Sequence, residues 1–126
     1  MPTLPASLQT WAEMIKLAHS VFALPFALLA TFLAARPELP RWSQLTLIIV
    51  CMVAARSAAM TFNRLADAAF DARNPRTAAR PLPRGTISVP VAWTFFVLAS
   101  ALFALACAGF WWLDHNTWPL RLCLPI

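Results

Sequence analysis

Tyrosine is absent from this chain of 126 residues, glycine occurs twice, and only 12% of the residues are charged. So little charge excludes an ordinary soluble domain, which carries about twice as much. With glycine scarce, punctuation falls to 11 prolines, most of them outside the long apolar runs or at their edges. The cysteines, Cys51, Cys107 and Cys123, are odd in number and form no CxxC pair or zinc spacing. His19 and His115 form no cluster with other ligand types, so nothing supports a transition-metal site, and the thiols read as packed in helices. Acids number 5 against 10 Lys+Arg, and the excess is concentrated between Arg73 and Arg84. A nucleic-acid binder spreads basic residues over a soluble face, so this block reads as a membrane-flanking loop and no nucleic-acid partner is expected.

What is present is apolar. Hydrophobic residues make up 60% and the mean hydropathy is +0.66, as in a bilayer protein. The expected fold class is all-α, an integral membrane helical bundle with about three transmembrane helices in one unit over residues 1–126. A short head, Met1 to Glu13, has Ser7 or Thr10 as a helix cap. The first span covers about 17–35, roughly 20 residues, enough to cross about 30 Å of hydrocarbon at about 1.5 Å per residue. Only Lys16 precedes this run and further spans follow, which favours a retained helix over a cleaved signal peptide. The second span covers about 42–66, with Ala54, Ala55, Ser57, Ala58 and Ala59 as small residues for close packing, and Asn63 to Asp71 continues that helix to the aqueous edge. A loop is expected over 67–88, where Pro75, Pro81 and Pro83 forbid continuous helix from Asn74 to Arg84. The third span covers about 89–113 and ends in the interfacial anchors Trp111 and Trp112. Arg73, Arg76, Arg80 and Arg84, against Arg36 and Arg41 in the first turn, place the 67–88 loop and the N-terminus in the cytoplasm by the positive-inside rule.

Asn63, Asp67 and Asp71 stand at i, i+4 and i+8, so the three side chains project in nearly one direction and can converge on a hard cation. The cation this suggests is Mg²⁺, and behind it a phosphate. The alternative is a solvated helix end whose acids balance Arg64, Arg73 and Arg76. Arg56 weighs against the alternative, because it lies two turns upstream on the same face, inside the apolar run, where an unpaired charge costs roughly 3 kcal/mol. It calls for an anion or a polar cavity. Arg73, Arg76 and Arg80 serve either as topology signals or as guanidinium clamps on phosphate oxygens. Lys16 and His19 either line a substrate pocket or simply snorkel.

The stretch from Arg56 to Ser88, RSAAMTFNRLADAAFDARNPRTAARPLPRGTIS, resembles the first conserved segment of the UbiA superfamily of intramembrane aromatic prenyltransferases. The likeness rests on the Asn-x-x-x-Asp-x-x-x-Asp core, the upstream Arg56, Arg76-Thr77, Arg80-Pro81-Leu82-Pro83 and Gly85. Arg64 stands where many members have aspartate. That departure, with the run Leu17 to Ala27, is similar to the quinone branch, 4-hydroxybenzoate polyprenyltransferases and their futalosine-pathway menaquinone relatives, in preference to the chlorophyll, haem or protoheme farnesylating members. The resemblance implies Mg²⁺-dependent transfer of a polyprenyl group from its diphosphate to an aromatic acid such as 4-hydroxybenzoate, for ubiquinone or menaquinone, at the inner membrane. Asn63, Asp67 and Asp71 would be the catalytic metal-diphosphate motif, Arg73, Arg76 and Arg80 would contact phosphate, and Arg56, Lys16 and His19 would face the aromatic acid or the cavity.

Members of that superfamily have nine transmembrane helices and a second aspartate motif facing the first. This chain offers three spans, with Leu120 to Ile126 as the opening of a fourth, and Asp114 is the only acid after the third. The expectation is therefore the N-terminal portion of such an enzyme, a truncated or frameshifted product or a fragment of a larger frame, carrying the signature without a complete active site and inactive alone unless self-association or a missing C-terminal half completes it. The competing expectation is a non-catalytic membrane hairpin whose charges only set topology.

Overall fold

Length and apolar character dictate three of the helices. The computed structural model describes residues 6–123, in the order α1 (Ala6–Ile15), α2 (Leu17–Ala34), α3 (Trp42–Arg73), α4 (Val89–Asp114) and α5 (Trp118–Cys123). All regular structure among these residues is helical, and α2, α3 and α4 are each long and apolar enough to cross a membrane. The all-α, three-span expectation holds.

At 32 residues α3 is about 48 Å long, well beyond a hydrocarbon core of about 30 Å, so its last turns stand clear of the apolar layer. The helix continues past Asn63 to Asp71 as expected and runs on to Arg73, so of the 67–88 connection only 74–88 is outside helix. The cause is local. Ala66 to Ala69 contains nothing that opposes a helix, whereas Pro75 drives the preceding Asn74 out of helical geometry, to φ −101 and ψ 120. Ser7 and Thr10 are not caps. Both lie within α1, where the Thr10 hydroxyl donates back to the Ala6 carbonyl at 2.9 Å. Lys16 occupies the left-handed region, φ 50, and separates α1 from α2.

The main packing is the antiparallel seam of α3 and α4. Ala54, Ser57, Ala58 and Thr61 are buried from α3, and Ala92, Ala99, Ala106 and Cys107 from α4. Side chains this small let two helix backbones approach closely. The closeness shows at Gly109, where an added Cβ would stand 2.8 Å from Leu47 Cδ2. Register follows from pairs along the seam: Arg41 with Asp114 at 3.6 Å, Cys51 Sγ with Cys107 Sγ at 4.0 Å, and the rings of Phe62 and Phe96 at 5.7 Å. The side chain of Cys123 lies outside the described part.

A second cluster closes one end. Met14 of α1, Leu82 and Ile87 of the 74–88 segment, and Ala92 are buried together, with Trp11 and Leu65 packed against them. Trp11 also stacks at 4.6 Å on Phe95. α1 thus lies across the connection and the base of α4. By contrast α2 buries only Ser20, and its Phe22, Phe26, Leu29 and Leu33 are exposed. Trp42, Trp111, Trp112 and Trp118 are exposed at the end of the α3–α4 pair opposite Arg73, Arg76, Arg80 and Arg84, the placement of an interfacial belt. Of the expected fourth-span opening, residues 120–123 complete α5, and 124–126 lie outside the described residues.

The seam generates one expectation. Ala92→Leu adds volume at a wholly buried position and should cost about 1–3 kcal/mol. Leu105→Ala, on an exposed face of the same helix, should lie within about 0.5 kcal/mol of the parent. Thermal loss of helical circular dichroism in micelles measures both, and equal effects would contradict the packing described.

Candidate functional site

Helical geometry sets how far the acids can converge. Each residue turns about 100°, so a four-residue step advances about 40° and two steps about 80°. Asn63 and Asp67 accordingly share an exposed flank, while Asp71 is rotated into the packed side and buried. There its carboxylate accepts hydrogen bonds at 2.8 Å on both oxygens from a single nitrogen, Arg80 Nη1.

The connection is folded to return Arg80 to that position. The Arg76 N–H donates to Asn74 Oδ1 at 3.0 Å, forming an Asx-type turn, and the Thr77 hydroxyl donates to the Asp71 carbonyl at 3.0 Å. The Pro81 carbonyl accepts from the Thr86 hydroxyl and N–H, both at 3.0 Å, and from the Ile87 N–H at 3.3 Å. Gly85 takes φ 78, a value costly for residues with a Cβ, and closes on the Leu82 carbonyl at 3.0 Å. Arg80, Pro81, Leu82, Gly85 and Thr86 thus form one tied turn anchored by the burial of Leu82 and Ile87. Arg73 and Arg76 are exposed outside it.

Arg64 was missed as a site residue when read from sequence. It is only 9% exposed and close enough to Asp71, Asp67 and Arg80 to interact with all three charges. The signal was available in the spacing, since Asp67 at i+3 and Asp71 at i+7 share its side of the helix. Thr77 and Asn74 were likewise overlooked, because their roles depend on the chain's return. Asp71 lies beyond the expected span. Burial alone would raise its pKa, but the hydrogen bonds from Arg80 and Thr77 and the charges of Arg80 and Arg64 outweigh that and hold it below the ordinary carboxylate value.

Arg56 is half-buried two turns before Asn63 on the same flank, and its Nε is buried with no hydrogen-bond partner among the described residues. Lys16 and His19 are exposed at the start of α2 and make no described side-chain contact with the acids. Beside the flank, an apolar groove of about 640 Å³ between α3 and α4 is lined by Ala55, Ala59, Phe62, Phe96, Ser100 and Phe103.

The chemistry of this donor set fits Mg²⁺. Asn63 and Asp67 present hard oxygen donors on an open face, and Asp71 stands beside them bound to Arg80. No group of three or more His, Cys, Asp or Glu capable of holding a metal occurs among the described residues. A cation here would therefore be completed by phosphate oxygens and water, the usual habit of Mg²⁺.

Comparison with known proteins bears on the same residues. Residues 23–124 match the UbiA prenyltransferase family. A protoheme IX farnesyltransferase of Janthinobacterium sp. (strain Marseille) is 34% identical over 128 residues, covering 98% of this chain and 41% of that protein. A 4-hydroxybenzoate octaprenyltransferase of Aliivibrio fischeri (strain MJ11) is 44% identical over 69 residues, 55% of this chain and 24% of that protein. A polyprenyl transferase of Aspergillus calidoustus is 33% identical over 122 residues, 90% of this chain and 32% of that protein. The chain thus spans well under half the length of these relatives. No solved structure matches it.

The turn's dependence on Asp71 is measurable. Asp71→Asn should accelerate tryptic cleavage after Arg73, Arg76 and Arg84 at pH 8, through loss of charged hydrogen bonds of order 1–2 kcal/mol after solvent screening at Arg80. In the parent chain, a lowered Asp71 pKa makes the anchoring complete above the ordinary carboxylate range and lost only as pH falls through the lowered value. Hydrogen exchange of residues 74–88, corrected for intrinsic rates, should therefore be flat from pH 8 to about pH 5 and rise only in stronger acid. A rise between pH 8 and 6 would contradict the assignment.

Proposed function

The chain belongs to the UbiA prenyltransferase family, and on that footing we propose that it supplies the first diphosphate-binding half of a Mg²⁺-dependent transfer of a polyprenyl group to an aromatic acid. The observation that carries the proposal is the juxtaposition of open Asn63 and Asp67 with the Arg80-bearing turn, at the end of a membrane hairpin. Asn63 and Asp67, joined by Asp71, would hold the cation, and Arg73, Arg76 and Arg80 would take the phosphate oxygens. Bound there, Mg²⁺ would offset the charge of the departing diphosphate. The allylic C–O bond breaks with its electron pair leaving on diphosphate, the ring carbon ortho to the hydroxyl bonds the allylic carbon, and that ring carbon loses its proton.

The groove between α3 and α4 is apolar, as a prenyl chain requires, and an apolar environment keeps water from quenching an allylic cation. Arg56, with its unpartnered Nε, would receive the acceptor's carboxylate. Lys16 and His19 sit at the same end of the chain, since Met14 two residues earlier packs on Leu82. An inner-membrane location with the 74–88 segment and α1 on the cytoplasmic side accords with the arginines at that end and the tryptophans at the other. The remaining length of a relative, or a second copy, would cover the apolar faces of α2 to α4.

Two acceptors have support. The 44% identity to a 4-hydroxybenzoate octaprenyltransferase over the shared segment, with Arg56 as a carboxylate partner, favours the aromatic acid of quinone biosynthesis. The 34% identity to a protoheme IX farnesyltransferase along almost the whole chain favours a porphyrin acceptor as the second reading.

The deciding assay offers labelled polyprenyl diphosphate with 4-hydroxybenzoate or protoheme IX to the full chain in vesicles, with and without Mg²⁺. Mg²⁺-dependent pyrophosphate binding, weakened about tenfold or more by Asp67→Ala, is the result expected of this half, and transfer, where a second copy completes the site, should go to 4-hydroxybenzoate. Transfer only to protoheme IX would select the second reading. Absence of both transfer and Mg²⁺-dependent pyrophosphate binding would leave a membrane hairpin whose charges set topology alone.

A further inference from the structure

Arg64 is the strongest unassigned feature of the charged end. A guanidinium at 9% exposure needs countercharge, and it has two carboxylates within electrostatic reach, Asp71 and Asp67. The same Asp71 already accepts both hydrogen bonds from Arg80. Asp71 is thus hydrogen-bonded to Arg80, while its charge and that of Asp67 act on Arg64 against the cost of burial and the repulsion of Arg80.

That arrangement constrains what can bind. A phosphate-bearing anion approaching alone would meet Arg80 already bonded to Asp71, and Arg64 with the negative charges of Asp71 and Asp67 nearby. A divalent cation alone would approach carboxylates shielded by Arg64 and Arg80. Arriving together, the anion takes the guanidiniums while the cation takes the carboxylates, and each charge in the cluster keeps an opposite partner throughout.

We propose that Arg64 is a second diphosphate-binding guanidinium beside Arg80, and that the pair is loaded by partner exchange, Asp71 passing from Arg80 to the cation as the arginines pass to phosphate. This rests on the diphosphate reading of the site. Arg64 contributes from the buried side of α3, opposite the exposed Arg73 and Arg76, so the anion is gripped from within the helix pair as well as from the loop. Exchange also makes cation and anion binding mutually dependent. The linkage is reciprocal, each raising the affinity for the other by the same factor.

Calorimetric titration of the full chain in nanodiscs with inorganic pyrophosphate, with and without MgCl₂, tests this. The parent should bind pyrophosphate about tenfold or more tightly with Mg²⁺ than without. Arg64→Gln should weaken binding in Mg²⁺ roughly tenfold or more, and Arg64→Lys, which keeps the charge but not the fork, should fall between them. Asp71→Asn gives the reading peculiar to exchange: without Mg²⁺ it should bind pyrophosphate more tightly than the parent, because Arg80 is released and a negative charge beside Arg64 is removed. Circular dichroism verifies that each variant keeps its helix content, and Arg64→Lys carries the test if Arg64→Gln does not fold. Parent-like binding by the Arg64 variants, or no gain in Asp71→Asn, overturns the proposal. If Arg80→Gln still abolishes binding in that case, the diphosphate reading stands without Arg64. A parent chain that binds no pyrophosphate under either condition overturns both.

Discussion

Small side chains along α3 and α4 set the distance on which the rest of this structure depends. Where Ala54, Ser57, Ala58 and Thr61 face Ala92, Ala99 and Ala106, the two backbones come close enough for Gly109 to stand directly under Leu47. In hydrocarbon there is no hydrophobic gain from pairing apolar helices, so shape complementarity of this kind holds them together. It also fixes their antiparallel register, from Arg41 beside Asp114 at one end to Phe62 beside Phe96 near the other. Given that register, the 74–88 connection must turn back over the end of α3. Asp71 and Arg80 meet because of it.

The charged end works on a different principle. Its members are too polar for the bilayer and too buried to be ordinary surface residues, so they satisfy one another. Arg80 bridges both oxygens of Asp71, Thr77 returns to the Asp71 carbonyl, and the Pro81 carbonyl collects three donors. α1 then seals the turn through Met14 and Trp11. The result is a compact polar cap on an apolar hairpin, in which the UbiA-like arginine-proline pattern serves first as fold chemistry. The exposed oxygens of Asn63 and Asp67 beside it remain available to a ligand.

Much of this was legible from the chain alone, because bilayer thickness converts directly into run length. The spans follow from uninterrupted apolar residues, and the helix end follows from Pro75, the helix reaching Arg73 where continuation to Asp71 was expected. Helical spacing was less reliable as a guide to convergence. An i, i+4, i+8 stripe looks like a single direction, yet a turn of about 3.6 residues makes it drift, and at Asp71 the drift crosses from the open flank to the packed side.

Composition and local spacing account for the membrane class, the number of spans and the position of the acidic and basic residues at one end, while the family follows from the resemblance of a motif segment and from the match over residues 23–124. Which of those charges pair is set by the fold. Pairing depends on where the chain returns after the loop, so Arg80 rather than Arg73 or Arg76 reaches Asp71, and Arg64, a departure from the commoner aspartate, becomes a buried member of the cluster. No one-dimensional spacing encodes that contact, since it is set by the close approach of α3 and α4 and by the burial of Leu82 and Ile87 that ties the turn beneath them.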